Sequence, residues 1–117
     1  MNKMPTDLRA KLDKDPWYHR CAVTGATLGK IEWHHNFIFA GKQVQEEWCI
    51  LPLAVRVHDR ANRKDVREVL DWIMLNRTDD ATLLRYGKAT DLIGRRDHLN
   101  RKFGGAWRKG RYTDLML

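Results

Sequence analysis

The sequence predicts a single α+β domain in which two short strands early in the chain are followed by helices. Residues Ile31–His35 alternate in polarity and Trp48–Leu53 are largely apolar, which is typical of strands, whereas apolar residues after position 65 recur at helical spacing. The 117 residues match the usual size of one domain, and no repeat or linker divides them.

The N-terminal segment predicts a short helix. Thr6 or Asp7 is a suitable cap, and the helix would extend to about Lys14, because Asp15-Pro16 cannot continue it. A loop of about a dozen residues with Gly41 near its middle would then join the two strands. Pro52 in the second strand indicates an edge position or a missing ladder hydrogen bond.

Three helices are expected in the C-terminal half. The first would end near Asn76, and its apolar stripe is Val66, Val69, Leu70 and Ile73. Thr78-Asp79-Asp80 would cap the second, with Gly87 as its C-terminal stop. The third would end at Gly104-Gly105, and its apolar positions are Ala89, Leu92, Ile93, Leu99 and Phe103.

Basic residues are concentrated near the C-terminus. The chain has a formal net charge of +7, and the segment from residue 95 to residue 111 contains seven basic residues and one acidic residue. Such a field attracts polyanions, and counterion release favours phosphate contacts. We therefore expect nucleic-acid contacts from Arg95, Arg96, Arg101, Lys102, Arg108, Lys109 and Arg111. From charge alone, a solvated helix face with a frayed basic tail explains the pattern equally well, and an anionic membrane surface stays open as a partner.

Several classes of protein are disfavoured by composition. The longest apolar run, Cys49–Val55, is far shorter than the roughly 20 residues that cross a bilayer. The charged N-terminus lacks the apolar segment of a secretory signal, and two cysteines do not suggest a disulfide framework. These features favour a cytoplasmic protein without a membrane-spanning segment, and we expect nucleic acid, not a membrane, as its partner.

Residues with catalytic potential are concentrated between His34 and Asn62. Neighbouring strand residues point to opposite sides, so His34 and His35 must have different roles. His58 and Asn62 are four residues apart and would share one face of a helix. Two imidazoles and an amide oxygen form an incomplete shell, which leaves room for water and substrate as catalytic metal sites require.

The segments Glu32-Trp-His-His-Asn and Trp48-Cys-Ile-Leu-Pro-Leu-Ala-Val-Arg-Val-His-Asp-Arg-Ala-Asn62 resemble the motif of HNH (ββα-metal, or His-Me finger) endonucleases. The resemblance covers Cys21 to Asn62. It implies a ββα-metal core at about residues 20–64, and a helical, basic extension at about 65–117.

The resemblance also implies roles for individual residues. His34 falls on the first metal-ligand position, His58 on the helix ligand and Asn62 on the final ligand, while His35 falls on the general base. One divalent ion (Mg, Mn, Ni or Zn) is expected. Imidazole ligands suit the transition metals better than Mg, but the sequence does not choose between them.

Two features depart from the family pattern: the residue at position 49 and the zinc-ligand positions. Cys49 stands where the family usually has an Asn that holds the loop carrying the base, so Asn36 or the backbone would have to hold that loop instead. Many relatives bind a structural zinc through four cysteines. The corresponding positions here are Cys21, Thr24, Ala54 and Val57. We therefore expect no structural zinc and apolar burial at Ala54 and Val57.

The function expected from the resemblance is metal-dependent hydrolysis of phosphodiester bonds, with DNA as the favoured substrate and 5′-phosphate and 3′-hydroxyl products. A compact basic chain of this kind fits, by analogy, a bacteriophage or prophage nuclease acting in bacterial cytoplasm. Two alternatives remain open: a DNA-binding accessory protein of the same fold without catalysis, and a small metal-binding module. Sequence specificity, strandedness and oligomeric state are not determined.

Overall fold

A two-stranded antiparallel sheet lies at the centre of the computed structural model, which describes residues 4–86 and 91–109, the last five of these as helix backbone only. Strands β1 (Ile31–His35) and β4 (Ile50–Ala54) form this sheet, with His34 opposite Leu51 and His35 opposite Ile50. A two-stranded sheet has only edges, which explains why Pro52 is tolerated, and its carbonyl accepts a hydrogen bond from Ala22 N at 2.7 Å. The α+β class is confirmed.

Helix α1 (Thr6–Asp13) precedes the sheet. Its N-cap is Pro5, without a side-chain cap, so the expected capping by Thr6 or Asp7 is wrong. Asp15 instead caps the 3₁₀ turn Pro16–His19 by accepting a hydrogen bond from Trp17 N. That turn ends the helical segment, as expected for Asp-Pro.

The segment between the sheet strands contains a small hairpin that the sequence did not predict. Strands β2 (Ile38–Phe39) and β3 (Lys42–Gln43) pair in register around Ala40 and Gly41, which both have positive φ. Two successive positive φ angles define a type I′ turn, whose usual signature is Asn-Gly or Asp-Gly. The hairpin was not predicted because the first turn position is Ala40 and not Asn or Asp. A second 3₁₀ turn, Glu47–Cys49, then leads into β4.

The helices after β4 differ in part from expectation. Helix α2 (Val55–His58) is a single turn, and α3 (Lys64–Leu75) is separated from it by residues 59–63. The four stripe residues of α3 are buried, with at most 1% exposure, and Asp79 caps α4 (Asp80–Leu84) by accepting a hydrogen bond from Thr82 N. The expected stop at Gly87 and the apolar position Ala89 lie outside the described residues.

Helix α5 (Leu92–Lys109) continues through Gly104-Gly105, so the expected end at these glycines is wrong. Asp91 begins the helix, because its carboxylate accepts a hydrogen bond from Gly94 N at 2.9 Å. Leu99 and Phe103 pack with α3 in the main core, which anchors the helix before the glycines. Once a helix is nucleated, elongation through two glycines costs only about 1 kcal/mol each.

The sheet separates two groups of buried side chains. Leu51 and Leu53 face the main core formed with α3 and α5, whereas Ile50 packs with Leu12 and Tyr18 of the N-terminal segment. Trp33 packs against this second cluster and donates a hydrogen bond to Tyr18 O. The sheet is therefore packed on both faces, and this packing positions the side chains of β1.

Candidate metal and catalytic site

His34 and His58 face each other at the junction of β1 and α2. The centroids of their rings are 4.9 Å apart and the ring planes are inclined at 65°. Strand β4 runs antiparallel to β1 and leads directly into α2, so the single turn of helix returns His58 to the strand that carries His34. The structure thus brings together the two histidines that the resemblance assigned to the metal.

Glu32 is a third member of this site, and the sequence analysis gave it no role. Its Oε1 lies 3.0 Å from Nδ1 of His58. Glu32 and His34 are two residues apart on β1 and so share a face of the strand. That alternation was the available signal, but only the fold shows that His58 reaches the carboxylate.

Hydrogen bonds determine which imidazole nitrogens remain free. His34 Nε2 lies 3.2 Å from Asn36 Oδ1, and His58 Nδ1 faces the Glu32 carboxylate. Because amide and carboxylate oxygens only accept, each of these nitrogens carries a proton. The lone pairs are then at His34 Nδ1 and His58 Nε2. A carboxylate behind a histidine is the usual way of orienting a metal-binding imidazole.

His34 is held in the neutral form that a metal ligand needs. Its pKa is lowered to about 4, first by burial and then by the neighbouring His58, while the hydrogen bond to Asn36 opposes the shift. At pH 7 a metal ion therefore does not have to compete with a proton for the lone pair of His34.

The donor set is incomplete before an ion binds. Within residues 4–86 and 91–109, no three His, Cys, Asp or Glu side chains are arranged to hold a metal together. Two imidazoles with one nearby carboxylate fit a borderline ion that keeps water or a substrate oxygen in its remaining positions.

His35 lies on the opposite face of β1 and has separate partners. Its Nε2 donates to Gln45 Oε1 at 3.0 Å, which leaves the lone pair at Nδ1. The Gln45 Nε2 atom is buried and has no hydrogen-bond partner among the described residues. The two adjacent histidines therefore occupy different environments, as their alternation predicted.

The loop after β1 is held by Asn36 and by the backbone, the two possibilities left open by the sequence. Asn36 N donates to Cys49 O at 2.9 Å, and Asn36 Nδ2 donates to Asp71 Oδ1 on α3 at 2.9 Å. The Cys49 thiol is fully buried, and burial raises its pKa, so it is inert packing in the core.

Asn62 is placed differently from its sequence-based expectation. Helix α2 ends at His58, and Asn62 follows in a turn, so the expected common helical face of these two residues is wrong. The chain turns there because Arg60 N and Ala61 N bond to the carbonyls of Val57 and His58, three residues back. Asn62 is exposed and lines a cavity beside α3 and α5 that does not include His34 or His58. Its role as a ligand stays a prediction.

The basic residues of α5 are partly engaged within the protein. Arg95 donates to Asp71 through Nε and Nη2, Arg96 pairs with Asp80 and Asp97, and Lys102 pairs with Glu68 at 2.8 Å. Arg101 is exposed. The side chains of Arg108 and Lys109, and all of Arg111, lie outside the described residues, so their expected nucleic-acid contacts stay predictions.

The four positions that carry zinc ligands in many relatives have mixed environments. Cys21 and Val57 are buried in the main core, and Ala54 packs against it in a partly buried position. Thr24 is half-buried. The expected apolar burial of Val57 is confirmed, and that of Ala54 is partial.

Comparisons with protein-family models, curated proteins and solved structures found no match. None of the helices in the described ranges is long and apolar enough to cross a bilayer.

Proposed function

We propose that this chain is a metal-dependent endonuclease with an HNH-like ββα site, hydrolysing phosphodiester bonds, most favourably those of DNA. The observation that carries the proposal is the 4.9 Å apposition of His34 and His58, on a strand and the short helix that returns to it. The proposal retains the bacterial or phage-infected cytoplasm as the setting that the resemblance implies.

In this site His34 Nδ1 and His58 Nε2 would hold one divalent ion, with Glu32 orienting His58 through its Nδ1 proton. When bound, the ion supplies charge stabilisation at the scissile phosphate and at the departing 3′ oxygen. Asn36 keeps the His34 ring in place through Nε2. Burial keeps His34 neutral, so binding requires no proton release from this residue near pH 7.

His35 would act as the general base. Gln45 accepts the Nε2 proton, so Nδ1 is the nitrogen that can remove a proton from the attacking water. A neutral imidazole is suited to this step near pH 7. His34 and His35 are adjacent on β1 and point to its opposite faces, so the ion-binding role and the proton-accepting role belong to neighbouring residues.

The test is nicking of supercoiled plasmid DNA with Mg, Mn, Co, Ni or Zn, each compared with a chelator control. The parent should nick in at least one metal, and His35→Ala should lower the rate about 10²–10⁴-fold. His19→Ala is the matched control, since His19 is exposed and lies outside the site. Undiminished nicking by His35→Ala would exclude its role as the base.

A DNA-binding accessory protein without catalysis is the second candidate. Its specific support is that Cys49 replaces the loop-holding Asn and that the described residues lack a complete three-ligand cluster. Salt-sensitive DNA binding without nicking in any metal would favour this candidate. Metal binding without DNA affinity would instead indicate the small metal-binding module.

A further inference from the structure

A basic cavity lies beside the N-terminal half of α3 and the facing side of α5, apart from the His34–His58 site. It has a volume of about 510 Å³, within the range of about 300–1,000 Å³ typical of small-ligand sites. Four cations line it together with Asn62 and His98: Lys64, Arg67, Arg95 and Lys102. Glu68 is the one carboxylate of this lining. The excess of positive charge favours an anionic occupant.

Two of the cations are held in place by acidic partners. Lys102 Nζ lies 2.8 Å from Glu68 Oε2, and Arg95 binds Asp71 through Nε and Nη2. Glu68 and Asp71 do not occupy all the N–H donors of Lys102 and Arg95, since an ammonium has three N–H groups and a guanidinium has five. These side chains are therefore ordered and still able to donate to an oxyanion.

The other two cations are available for binding. Lys64 and Arg67 are exposed, and among the described residues neither side chain forms a hydrogen bond or an ion pair. Lys64 interacts with Glu68 only through its charge. They lie three residues apart on α3, so they are neighbours on its surface. Asn62 precedes them on the same rim and adds an amide, which can donate two hydrogen bonds.

We propose that this cavity binds a backbone phosphate of a nucleic-acid strand, with Asn62, Lys64, Arg67 and Arg95 as its ligands. The choice of a nucleic-acid strand rests on the proposed function, but the site itself does not depend on hydrolysis. The cavity is larger than a single phosphate group. Arg101 is exposed and follows the lining residue His98 by three positions on α5, so it adds positive charge beside the cavity. Asn62 thereby has a role in the cavity that it lines, apart from the site formed by His34 and His58.

The experiment measures binding of fluorescent single- and double-stranded DNA 20-mers by anisotropy, in chelator, over a range of salt concentrations. Lys64→Gln/Arg67→Gln should weaken binding and reduce the slope of log K against log salt by about one unit, because the two cations contact the same phosphate. Arg9→Gln/Lys14→Gln is the matched control, because it removes two exposed cations elsewhere and should leave the slope unchanged. Circular dichroism confirms that each variant is folded.

Equal slopes for the cavity variant and the control variant would overturn the proposal. Competition with inorganic phosphate and with a mononucleotide identifies the occupant: displacement of DNA by a mononucleotide at low concentration would show that the site takes a free nucleotide instead of a strand. Because no metal is present, the result is independent of nicking. If the cavity variant has the lower salt slope but the parent protein nicks DNA in no metal, the phosphate-binding cavity is retained and the nuclease function is rejected.

Asn62→Ala separates the two roles possible for that residue. If Asn62 binds phosphate, the variant should lose DNA affinity in chelator and keep the metal affinity of the parent. Weaker metal binding with unchanged DNA binding would remove Asn62 from the cavity and return it to the metal shell.

Discussion

Asn36 donates a hydrogen bond of 2.9 Å from Nδ2 to Oδ1 of Asp71, and this contact joins the loop after β1 to the middle of α3. On one side, Asn36 Oδ1 accepts from His34. On the other, Asp71 Oδ2 accepts two hydrogen bonds from Arg95 of α5. A continuous polar network therefore connects the candidate metal ligand to the basic cavity. The same network holds the loop after β1, a function that an Asn at position 49 would have in the HNH pattern.

Asp71→Ala should destabilise the fold and loosen the His34 ring. Asp71 is only 20% exposed, and its removal leaves Asn36 Nδ2 with only the weak acceptor Met74 Sδ and takes the carboxylate from Arg95, which costs about 1–3 kcal/mol. Urea denaturation measures the loss. Asp97→Ala is the matched control, because its pair with Arg96 is half-exposed and contributes little. Equal stability of the two variants would show that the network does not support the fold.

Glu32→Gln should weaken metal binding by about 10–100-fold, the usual effect of removing a group that orients a ligand. His34→Ala and His58→Ala should each weaken it further, since each removes one of only two imidazoles. Calorimetric titration with Mn, Ni and Zn measures the affinities. Asp59→Asn is the control for a change of charge beside His58, because Asp59 is exposed. Unchanged affinity in a His34→Ala/His58→Ala double variant would exclude this site.

Extensive chelation should leave the folded structure unchanged. Cys21 and Val57 are packed in the main core, so apolar burial can stabilise this region without a structural ion. Elemental analysis should give metal-free protein, and its circular dichroism and melting temperature should equal those before chelation. Cooperative unfolding on removal of metal would contradict this and indicate a structural site.

Local sequence patterns predicted those helices that have a clear apolar period or a capping residue. The period of the stripe from Val66 to Ile73 predicted α3, because burial of that face needs helical spacing. Asp79 predicted the start of α4 through its capping oxygen. The β2–β3 hairpin was missed because Ala40 adopts a positive φ that alanine rarely takes.

The candidate site was predictable only in part. The spacing of the histidines identified His34, His35 and His58, but the contact of Glu32 with His58 joins residues 26 positions apart in sequence and depends on the return of α2. Asn62 was misplaced because a four-residue interval suggests a helix, whereas the chain leaves helical geometry after His58. The cavity combines residues of α3 and α5, which no local pattern relates.

Gly104→Ala should stabilise the protein by about 0.5–1 kcal/mol, because alanine loses less backbone entropy than glycine on entering a helix. The site tolerates a methyl group, since a Cβ built there meets nothing within 4 Å.

Gly94→Ala, on the same helix, is the matched contrast. A Cβ at that position would lie 2.5 Å from Asp91 Oδ2 and would displace the carboxylate that caps α5. Gly94→Ala should therefore stabilise the protein less than Gly104→Ala does, because the Asp91 side chain has to move. Thermal and urea unfolding of both variants measure the effects. A loss of stability in Gly104→Ala would mean that α5 ends at the glycines after all, as the sequence alone suggested.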